Sequence, residues 1–481
     1  MAVAAGCDFS AIVTEDGCVW ALGDNFGDID MMLPECVGFA ENGLDGECLT
    51  MVAAGAHHTM CVTSKGMVWG WGHNEAGQLG QNYVDAYAVP EKSETNTFGD
   101  AGAVMVACGA QHTVVLTTSQ CVWTCGDGGH GQLGHGDPED MCVFTQVRAE
   151  LFLQAKIVMV ACGDQHSVAL DAGATMWGWG ENQHGQLGLN DHANRWFPAR
   201  VHQSNVRTLE DALDEVVKQV FGGHVPVFVT AGGAHTAVVT EEGSMWVTGC
   251  GANGRLGLNV QHTSNIVLFR RVCTDQTFGG SHVLMAACGK KHTLVVTKKG
   301  VVWSFGCGLE GVLGHNDCLD RMIPTSIDPK YFEYANIISA ACGSRHSAAV
   351  TAESRLFTWG SAKGLVPAVM HAELCPVLVS PSLFQGARIG RCHLIPQAHV
   401  LAFVMGMHPR LGAGVDDAKP PDNALAMSGP TVRRVCEILH LCDELAKGVI
   451  RAGVDLPPAQ TSAFPGLMRL LGGGIKSEAN G

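Results

Sequence analysis

Histidines recur along this chain at similar intervals, and they are the first residues whose type and spacing could support chemistry. They are His58, His112, His166, His235, His292, His346 and His393. Imidazole is a common zinc ligand and a common general base, so such a set could bind a metal or transfer a proton. Residues that recur once per unit of a repeating fold are spread around it, too far apart to share one ion. We therefore expect each histidine to hydrogen-bond backbone within its own unit, and we expect no metal site.

A glycine-rich stretch is the second candidate for chemistry. The sequence GDGGHGQLGHGD at 126–137 is similar to a phosphate-binding loop. Such a loop must lie between a strand and the N terminus of a helix, whereas strand-like residues follow here. The stretch GCGANGRLG at 249–257 fails for the same reason, and no GxSxG motif is present. The sequence therefore predicts no catalytic residues and no cofactor.

The elements that carry these residues repeat. A glycine, here called the anchor, precedes each histidine by three positions. The anchors are Gly6, Gly55, Gly109, Gly163, Gly232, Gly289 and Gly343, with a worn copy at Gly390. Anchors are 47 to 69 residues apart, yet the first seven are each followed after 14 residues by an aromatic. A constant offset within a variable repeat length predicts a fixed hairpin joined by variable loops.

The hairpin can be read from the second repeat. HTMCVT at 58–63 and MVWGWG at 67–72 are apolar strands that SKG joins through a glycine-permitted turn. A GQLG turn follows, whose leucine can pack between neighbouring units. Apolar runs such as KIVMVACG at 156–163 supply another strand before the next anchor. Four strands in a unit of this length predict the blades of an all-β propeller.

This repeat resembles that of the regulator of chromosome condensation family. The stretch GAHHTMCVTSKGMVWGWGHNEAGQLG at 55–80 carries the resemblance most fully, whereas the first repeat has Phe9 for the histidine and lacks GQLG. The resemblance covers residues 1–406 and implies a seven-bladed β-propeller. No strand is evident before Gly6, so we expect 387–406 to close the ring against the N terminus. An eight-bladed ring is the alternative.

Two segments depart from the repeat. Residues 208–223 have the apolar periodicity of a helix inserted in a blade loop, with Leu209, Leu213, Val216 and Val220 on one face. Residues 407–430 are predicted to be a linker, and residues 431–481 a short α-helical tail. The insertion is expected either to pack on the propeller or to contact a partner, and the tail either to dock on the propeller or to bind another chain.

Composition excludes several functional classes. The formal net charge is −16 and basic runs never exceed two residues, so direct nucleic-acid binding is not expected. No apolar run is long enough to span a membrane. The four cysteines Cys108, Cys162, Cys288 and Cys342 precede anchors in register, which predicts free thiols in small buried niches and a reducing compartment, cytoplasmic or nuclear.

The two residues between each anchor and its histidine differ from blade to blade, and these anchor loops are our candidate partner-binding face. The candidate residues are Asp8, His57, Gln111, Asp164, Gln165, Lys290, Lys291, Arg345 and Arg391. The loops are acidic or neutral in repeats one to five and basic in repeats six to eight. Such a polarised face suits a protein partner of mixed charge.

The family resemblance sharpens this expectation. The founding member is an exchange factor for a nuclear small GTPase, which it engages through acidic and histidine side chains of such loops; Asp164 and His57 are similar in type and position. Plant ultraviolet receptors of this fold carry tryptophan there, and these loops have none. We expect a protein-interaction propeller, with nucleotide exchange on a small GTPase as its leading specific role. The alternative is a substrate-recognition or scaffold subunit of a ubiquitin ligase or other large complex.

Overall fold

Seven four-stranded antiparallel sheets make up the part of the chain that the structure describes. The structure is a computed structural model and describes residues 3–14, 17–24, 30–38, 48–93, 97–201, 220–259, 264–272, 277–361 and 372–384. Each sheet contains four strands that are consecutive in sequence, so each is one blade. The prediction of a seven-bladed propeller is confirmed, and the eight-bladed alternative is wrong.

Each blade has an innermost, a second, a third and an outer strand, and the strands are numbered β1 to β28 along the chain. The innermost strands are β1 (Val3–Ala5), β5 (Leu49–Ala54), β9 (Ala103–Cys108), β13 (Ile157–Cys162), β17 (Pro226–Ala231), β21 (Val283–Cys288) and β25 (Ile337–Cys342). The second strands are β2 (Phe9–Val13), β6 (His58–Thr63), β10 (His112–Thr117), β14 (His166–Asp171), β18 (His235–Thr240), β22 (His292–Thr297) and β26 (His346–Thr351). The third strands are β3 (Val19–Asp24), β7 (Val68–Gly72), β11 (Val122–Gly126), β15 (Met176–Gly180), β19 (Met245–Gly249), β23 (Val302–Gly306) and β27 (Leu356–Gly360). The outer strands are β4 (Asp30–Cys36), β8 (Tyr87–Lys92), β12 (Met141–Gln146), β16 (Arg195–Arg200), β20 (Ile266–Arg271), β24 (Arg321–Ser326) and β28 (Glu373–Leu378).

The core lies between blades rather than within one blade. Every residue of the second strands is buried, because each such strand has neighbours on both edges and a blade against each face. The recurring aromatic lies in the third strand, where Trp20, Trp69, Trp177 and Phe357 are buried. The leucines of the GQLG-type turns are also buried at the blade boundaries, as predicted: Leu79, Leu133, Leu187, Leu256 and Leu313.

A phenylalanine in the connection between blades packs against the third-strand aromatic of the next blade. The pairs are Phe98–Trp123, Phe152–Trp177, Phe221–Trp246, Phe278–Trp303, Phe332–Phe357 and Phe384–Trp20. Their ring centroids are 5.4 to 5.8 Å apart and their planes are near perpendicular, an edge-to-face arrangement that stabilises aromatic pairs. The last pair joins blade 7 to blade 1.

The ring closes by contact between two complete blades. The prediction that 387–406 would supply a closing strand is wrong, because β1 precedes Gly6 and pairs with β2, and blade 7 has its own four strands. The three-residue strand Val3–Ala5 is too short to stand out in the sequence. The Ser344 N–H donates to the Gly6 carbonyl across the closure at 3.0 Å.

Several predictions fall on other parts of the chain. Residues 208–219 of the expected helical insertion, the worn repeat at 385–406, the linker at 407–430 and the tail at 431–481 lie outside the described residues. The domain boundary at residue 406 therefore stays a prediction. In the portion that is described, no helix is long and apolar enough to cross a membrane.

Candidate functional site

The anchor loops lie on one face because each joins an innermost strand to a second strand. The first loop residue of every blade lines the mouth of an axial channel: Cys7, Ala56, Ala110, Asp164, Gly233, Lys290 and Ser344. The channel has a volume of about 260 Å³ and is walled by the innermost strands. The turns between third and outer strands end on the same face. We call this surface the anchor-loop face.

Each anchor must be glycine because the histidine ring lies against it. A Cβ on Gly109 would stand 2.1 Å from His112 Cε1 and 2.6 Å from the Gly163 carbonyl oxygen of the next blade. Distances this short are forbidden to real atoms, and neither neighbour can move without shifting a blade. The anchor is therefore a packing requirement, and its recurrence in sequence follows from the approach of two blades.

The histidines link one blade to the next, so the prediction that each bonds backbone within its own blade is wrong. In every case Nε2 lies within hydrogen-bonding distance of a serine or threonine hydroxyl in the second strand of the following blade. The pairs are His58–Thr113, His112–Ser167, His166–Thr236, His235–Thr293, His292–Ser347 and His346–Ser10, at 2.8 to 3.0 Å. The last pair closes the ring. The sequence contains a sign of this pairing, because a serine or threonine directly follows each of these six histidines.

The direction of these bonds follows from the hydroxyls. Thr113 Oγ1 donates its single proton to the Gln78 carbonyl at 2.6 Å, and Ser167 Oγ donates to the Gln132 carbonyl at 2.9 Å. A carbonyl can only accept, so the imidazole must donate from Nε2–H to the hydroxyl. The six Nδ1 atoms have no partner among the described residues. The five rings whose partner hydroxyl donates to a turn carbonyl are therefore neutral Nε2–H tautomers.

Burial keeps these rings uncharged. It lowers the pKa of His58, His112, His166 and His292 from 6.5 to about 3, and the pKa of His346 to about 4. The pKa of His235 is also far below its ordinary value, mainly from burial and secondarily from Arg255. A neutral ring fixed between two blades is a structural link, and its unpartnered Nδ1 is buried out of reach of a ligand or a substrate.

Asp164 and Lys290 are the charged residues of the channel mouth in the described blades, and they flank blade 5. The point where a Cβ of Gly233 would stand lies 3.2 Å from Asp164 Oδ2 and 3.2 Å from Lys290 Cα. Arg255 is largely buried in the turn that follows the third strand of blade 5, and it donates from Nη1 to the Lys290 carbonyl at 3.1 Å. Burial raises the pKa of the Asp164 carboxyl, and the charges of Lys290 and Arg255 oppose part of that rise.

Arg345 is held at the closure between blades 7 and 1. Its guanidinium donates to both Asp8 carboxylate oxygens at 2.8 Å and approaches Glu310 Oε1 at 3.5 Å. Two carboxylates therefore neutralise this cation. The sequence predicted a basic sector in repeats six to eight. Among the described anchor-loop residues of that sector, Lys290 and Lys291 are the cations that no carboxylate neutralises in this way.

A second ring of side chains on this face escaped the sequence reasoning. The first residue after the third strand donates its N–H to the carbonyl of the second anchor-loop residue: His73 to His57, Asp127 to Gln111, Glu181 to Gln165 and Cys307 to Lys291, all at 2.8 to 2.9 Å. Each lies 18 residues after its anchor, a register that would have revealed it. Asp127 and Glu181 make the sector of blades 3 and 4 acidic.

The remaining candidates occupy separate positions on the face. His57 is exposed, and its ring stacks on His73 with centroids 5.0 Å apart. Gln111 and Lys291 are exposed and Gln165 is half-buried. Arg391 lies outside the described residues. The structure thus brings Asp8 to Arg345 and Asp164 to Lys290, and spreads the others around the channel.

These residues do not gather into a metal-ligating group. Within the described ranges, no group of three or more histidine, cysteine or acidic side chains could hold an ion. The sixteen cysteines described there are free thiols. Cys108, Cys162 and Cys342 are half-buried and Cys288 is buried, and all four line the channel.

The fold and its loop face define a class: a seven-bladed β-propeller that presents variable loops around an axial channel. The model of the "Regulator of chromosome condensation (RCC1) repeat" matches residues 65–116, 120–170, 175–239, 242–296 and 299–350. Since these ranges cover more than half of the chain, the protein belongs to the RCC1 repeat family.

Individual relatives agree with this assignment. "Ultraviolet-B receptor UVR8" of Arabidopsis thaliana is 34% identical over 311 residues, which are 64% of this chain and 64% of UVR8. "Probable E3 ubiquitin-protein ligase HERC6" of Homo sapiens is 30% identical over 312 residues, 64% of this chain and 28% of the ligase. The chain thus spans less than two thirds of the length of either relative. The crystal structure of Prp20p from Saccharomyces cerevisiae, described with its binding properties to Gsp1p and histones, has the same fold, with a TM-score of 0.61 at 18% identity over 76% of this chain and 87% of Prp20p.

Proposed function

We propose that this propeller binds a protein partner through its anchor-loop face. The observation that carries the proposal is the presence of two sectors of opposite charge on the anchor-loop face, which meet the channel mouth at Asp164 and Lys290. Blades 3 and 4 present Asp127, Asp164 and Glu181, and blade 6 presents Lys290 and Lys291, whereas Arg255 of blade 5 is buried and donates to the Lys290 carbonyl. Complementary charge orients and accelerates protein association, and a rigid ring of blades holds the pattern in place.

We further propose nucleotide exchange on a small GTPase as the specific activity. Prp20p, which has this fold, is described by its binding to Gsp1p. Asp164 and His57 supply an acidic and a histidine side chain on the face, and the half-buried Asp164 carboxylate lies beside two cations. A carboxylate in such a place can take one of those cations, or a lysine of the partner, as its counterion.

The test is the release of labelled GDP from a Ran-like GTPase. The wild-type protein is expected to accelerate release, and Asp164→Ala and His57→Ala are each expected to slow it about tenfold, equivalent to about 1.4 kcal/mol of lost interaction. Lys330→Ala is the matched control, because Lys330 lies in the 3-10 turn Pro329–Phe332 on the opposite face. Absence of acceleration from the wild-type protein would refute the exchange activity.

The similarity to HERC6 favours a second candidate, a substrate-recognition or scaffold role in a ubiquitin ligase or other large complex. This role predicts a partner that stays bound during purification and is released by charge reversal of Lys290 and Lys291 to glutamate. Deletion of residues 431–481 then shows whether the partner binds the propeller or the tail. The scaffold role fails if both changes leave the set of bound proteins unaltered.

A further inference from the structure

The blade boundaries are sealed by a carbonyl of the GQLG-type turn. Across five boundaries, a second-strand hydroxyl of one blade donates to a turn carbonyl of the blade before it, at 2.6 to 2.9 Å. These pairs are Thr113–Gln78, Ser167–Gln132, Thr236–Gln186, Thr293–Arg255 and Ser347–Val312. In blades 4 and 7 an indole shares that acceptor, since Trp179 donates to Gln132 and Trp359 to Val312 at 2.8 Å.

Blade 1 is too short to make this turn for blade 2. In blades 2, 3, 4 and 6 the last glycine of the third strand pairs with an outer-strand residue fifteen positions later, as in Gly72↔Tyr87 and Gly180↔Arg195. In blade 1 the equivalent pair is Gly23↔Met31, only eight positions apart. A hairpin that closes seven residues earlier leaves no length for a GQLG-type turn. Blade 1 also lacks the linking histidine, because Phe9 occupies its position and cannot donate to a hydroxyl.

The consequence appears on the blade 2 side of this boundary. Thr59 Oγ1 and Trp71 Nε1 are both fully buried, and neither has a hydrogen-bond partner in the described structure. They are the repeat equivalents of Ser167 and Trp179, whose donors converge on one carbonyl oxygen. The boundary therefore carries two buried donors without partners, at positions whose equivalents converge in blade 4. Val52 and Cys61 form its apolar wall, in one packed cluster with Ala11 and Val19 of blade 1, whereas their equivalents Val106 and Val115 cluster with Leu79 at the next boundary.

We propose that the boundary between blades 1 and 2 is a binding site for a backbone turn of the Gly-Gln-Leu-Gly type supplied by a partner polypeptide. The carbonyl before the leucine accepts from Thr59 and Trp71, and the leucine packs on Val52 and Cys61. The partner's chemistry is fixed by the five turns that fill the equivalent position within this molecule. Because both donors are buried, the turn enters as the two blades separate. Separation is easiest here, where the boundary lacks the histidine link.

The probe is a capped peptide with the sequence of residues 127–136, DGGHGQLGHG, which seats against Ser167 and Trp179 within the protein. The readout is the indole N–H resonance of Trp71 in the full chain labelled with ¹⁵N-tryptophan, assigned by its loss in Trp71→Phe. The peptide is expected to move this resonance downfield in a saturable manner. Thr59→Val should weaken the affinity about fivefold through the loss of one hydrogen bond. Trp179→Phe, whose acceptor lies within the chain, should leave the titration unchanged.

Two further measurements complete the test. A peptide with aspartate in place of the leucine should not bind. A chain in which the blade 2 turn 73–86 replaces residues 24–30 should show the shifted Trp71 resonance without peptide and no longer respond to it. The proposal is overturned if Trp71 does not move at about 1 mM peptide, if the aspartate peptide acts equally, or if a folded graft leaves the resonance in place. It is also overturned if the indole proton of free Trp71 is as protected from exchange as that of Trp179.

Discussion

Acidification should destabilise the ring through its buried histidines. The six linking imidazoles are neutral in the folded protein, with pKa values of about 3 to 4 for five of them and a strongly lowered pKa for His235. In the unfolded chain the ordinary value is about 6.5. Below that pH the histidines of the unfolded state are protonated, whereas those of the folded state remain neutral. Stability is therefore complete above pH 6.5 and falls as the pH drops from 6.5 toward the folded pKa values.

The magnitude follows from these values. Between pH 7.5 and pH 5.5, a group with an unfolded pKa of 6.5 and a folded pKa near 3 lowers the free energy of unfolding by about 1.4 kcal/mol. The five groups with pKa values of about 3 to 4 together give about 7 kcal/mol, and His235 acts in the same direction. This sum is comparable to the whole stability of an ordinary domain. We therefore expect the ring to unfold near pH 5, well above the range in which carboxylate protonation dominates acid denaturation.

The assay is urea unfolding at 25 °C across pH 7.5 to 5.5, with the proton uptake read from the dependence of the unfolding free energy on pH. His112→Gln removes one titrating group while leaving an amide that can donate to Ser167, so its pH dependence should be weaker by about one proton. His192→Gln, at an exposed position, is the control for loss of an imidazole. If His112→Gln titrates like the wild type, the imidazole is charged in the folded ring and our assignment of the tautomer is wrong.

Three further predictions concern the same boundaries. Thr113→Val should lower the free energy of unfolding by about 1–3 kcal/mol, because it leaves the His58 donor unpaired and the Gln78 carbonyl with only the Cys125 thiol as donor. Thr59→Val should change it by less than about 0.5 kcal/mol, and equal urea midpoints would contradict this. Gly109→Ala should cost about 1–3 kcal/mol through overpacking against His112, while Gly38→Ala, with nothing within 4 Å of its new Cβ, should be nearly neutral in the same assay. Exposed Cys318 should react with a maleimide long before buried Cys61, whose thiol pKa is raised by burial, and mass spectrometry of the labelled chain would reveal the opposite order.

The sequence predicts the fold well because the blade repeats. The constant 14-residue offset from anchor to aromatic fixes the hairpin of the second and third strands, which all seven blades confirm. The GQLG leucines were correctly placed between blades. Closure was predicted wrongly, since the signal for β1 is three residues long and the worn repeat after Gly390 offered a more conspicuous candidate. Periodicity cannot decide which copies of a repeat enter the ring, because each copy carries the same local pattern.

The partners of repeated residues are harder to predict than their positions. A histidine at a fixed place in every blade could bond its own backbone or the next blade, and both readings give the same sequence. Only the geometry shows that each imidazole donates to a hydroxyl about one blade away. The candidate residues of the anchor loops could be identified because they vary from blade to blade. The sequence did not predict which of them form pairs. Arg345 and Asp8 are 337 positions apart, and no local rule joins them.

The pattern of departures from the repeat carries the most information about this ring. The closure between blades 7 and 1 is where the first and last blades meet, and it has a histidine link, a bidentate Arg345–Asp8 pair and the Trp20–Phe384 contact. The boundary between blades 1 and 2 is covalently continuous, and it lacks both the histidine and the turn. A connecting chain limits how far two blades can separate, so that boundary can lose side-chain links that the closure cannot. The weakest boundary of the ring is therefore expected beside its closure, at a boundary where the connecting chain itself prevents full opening.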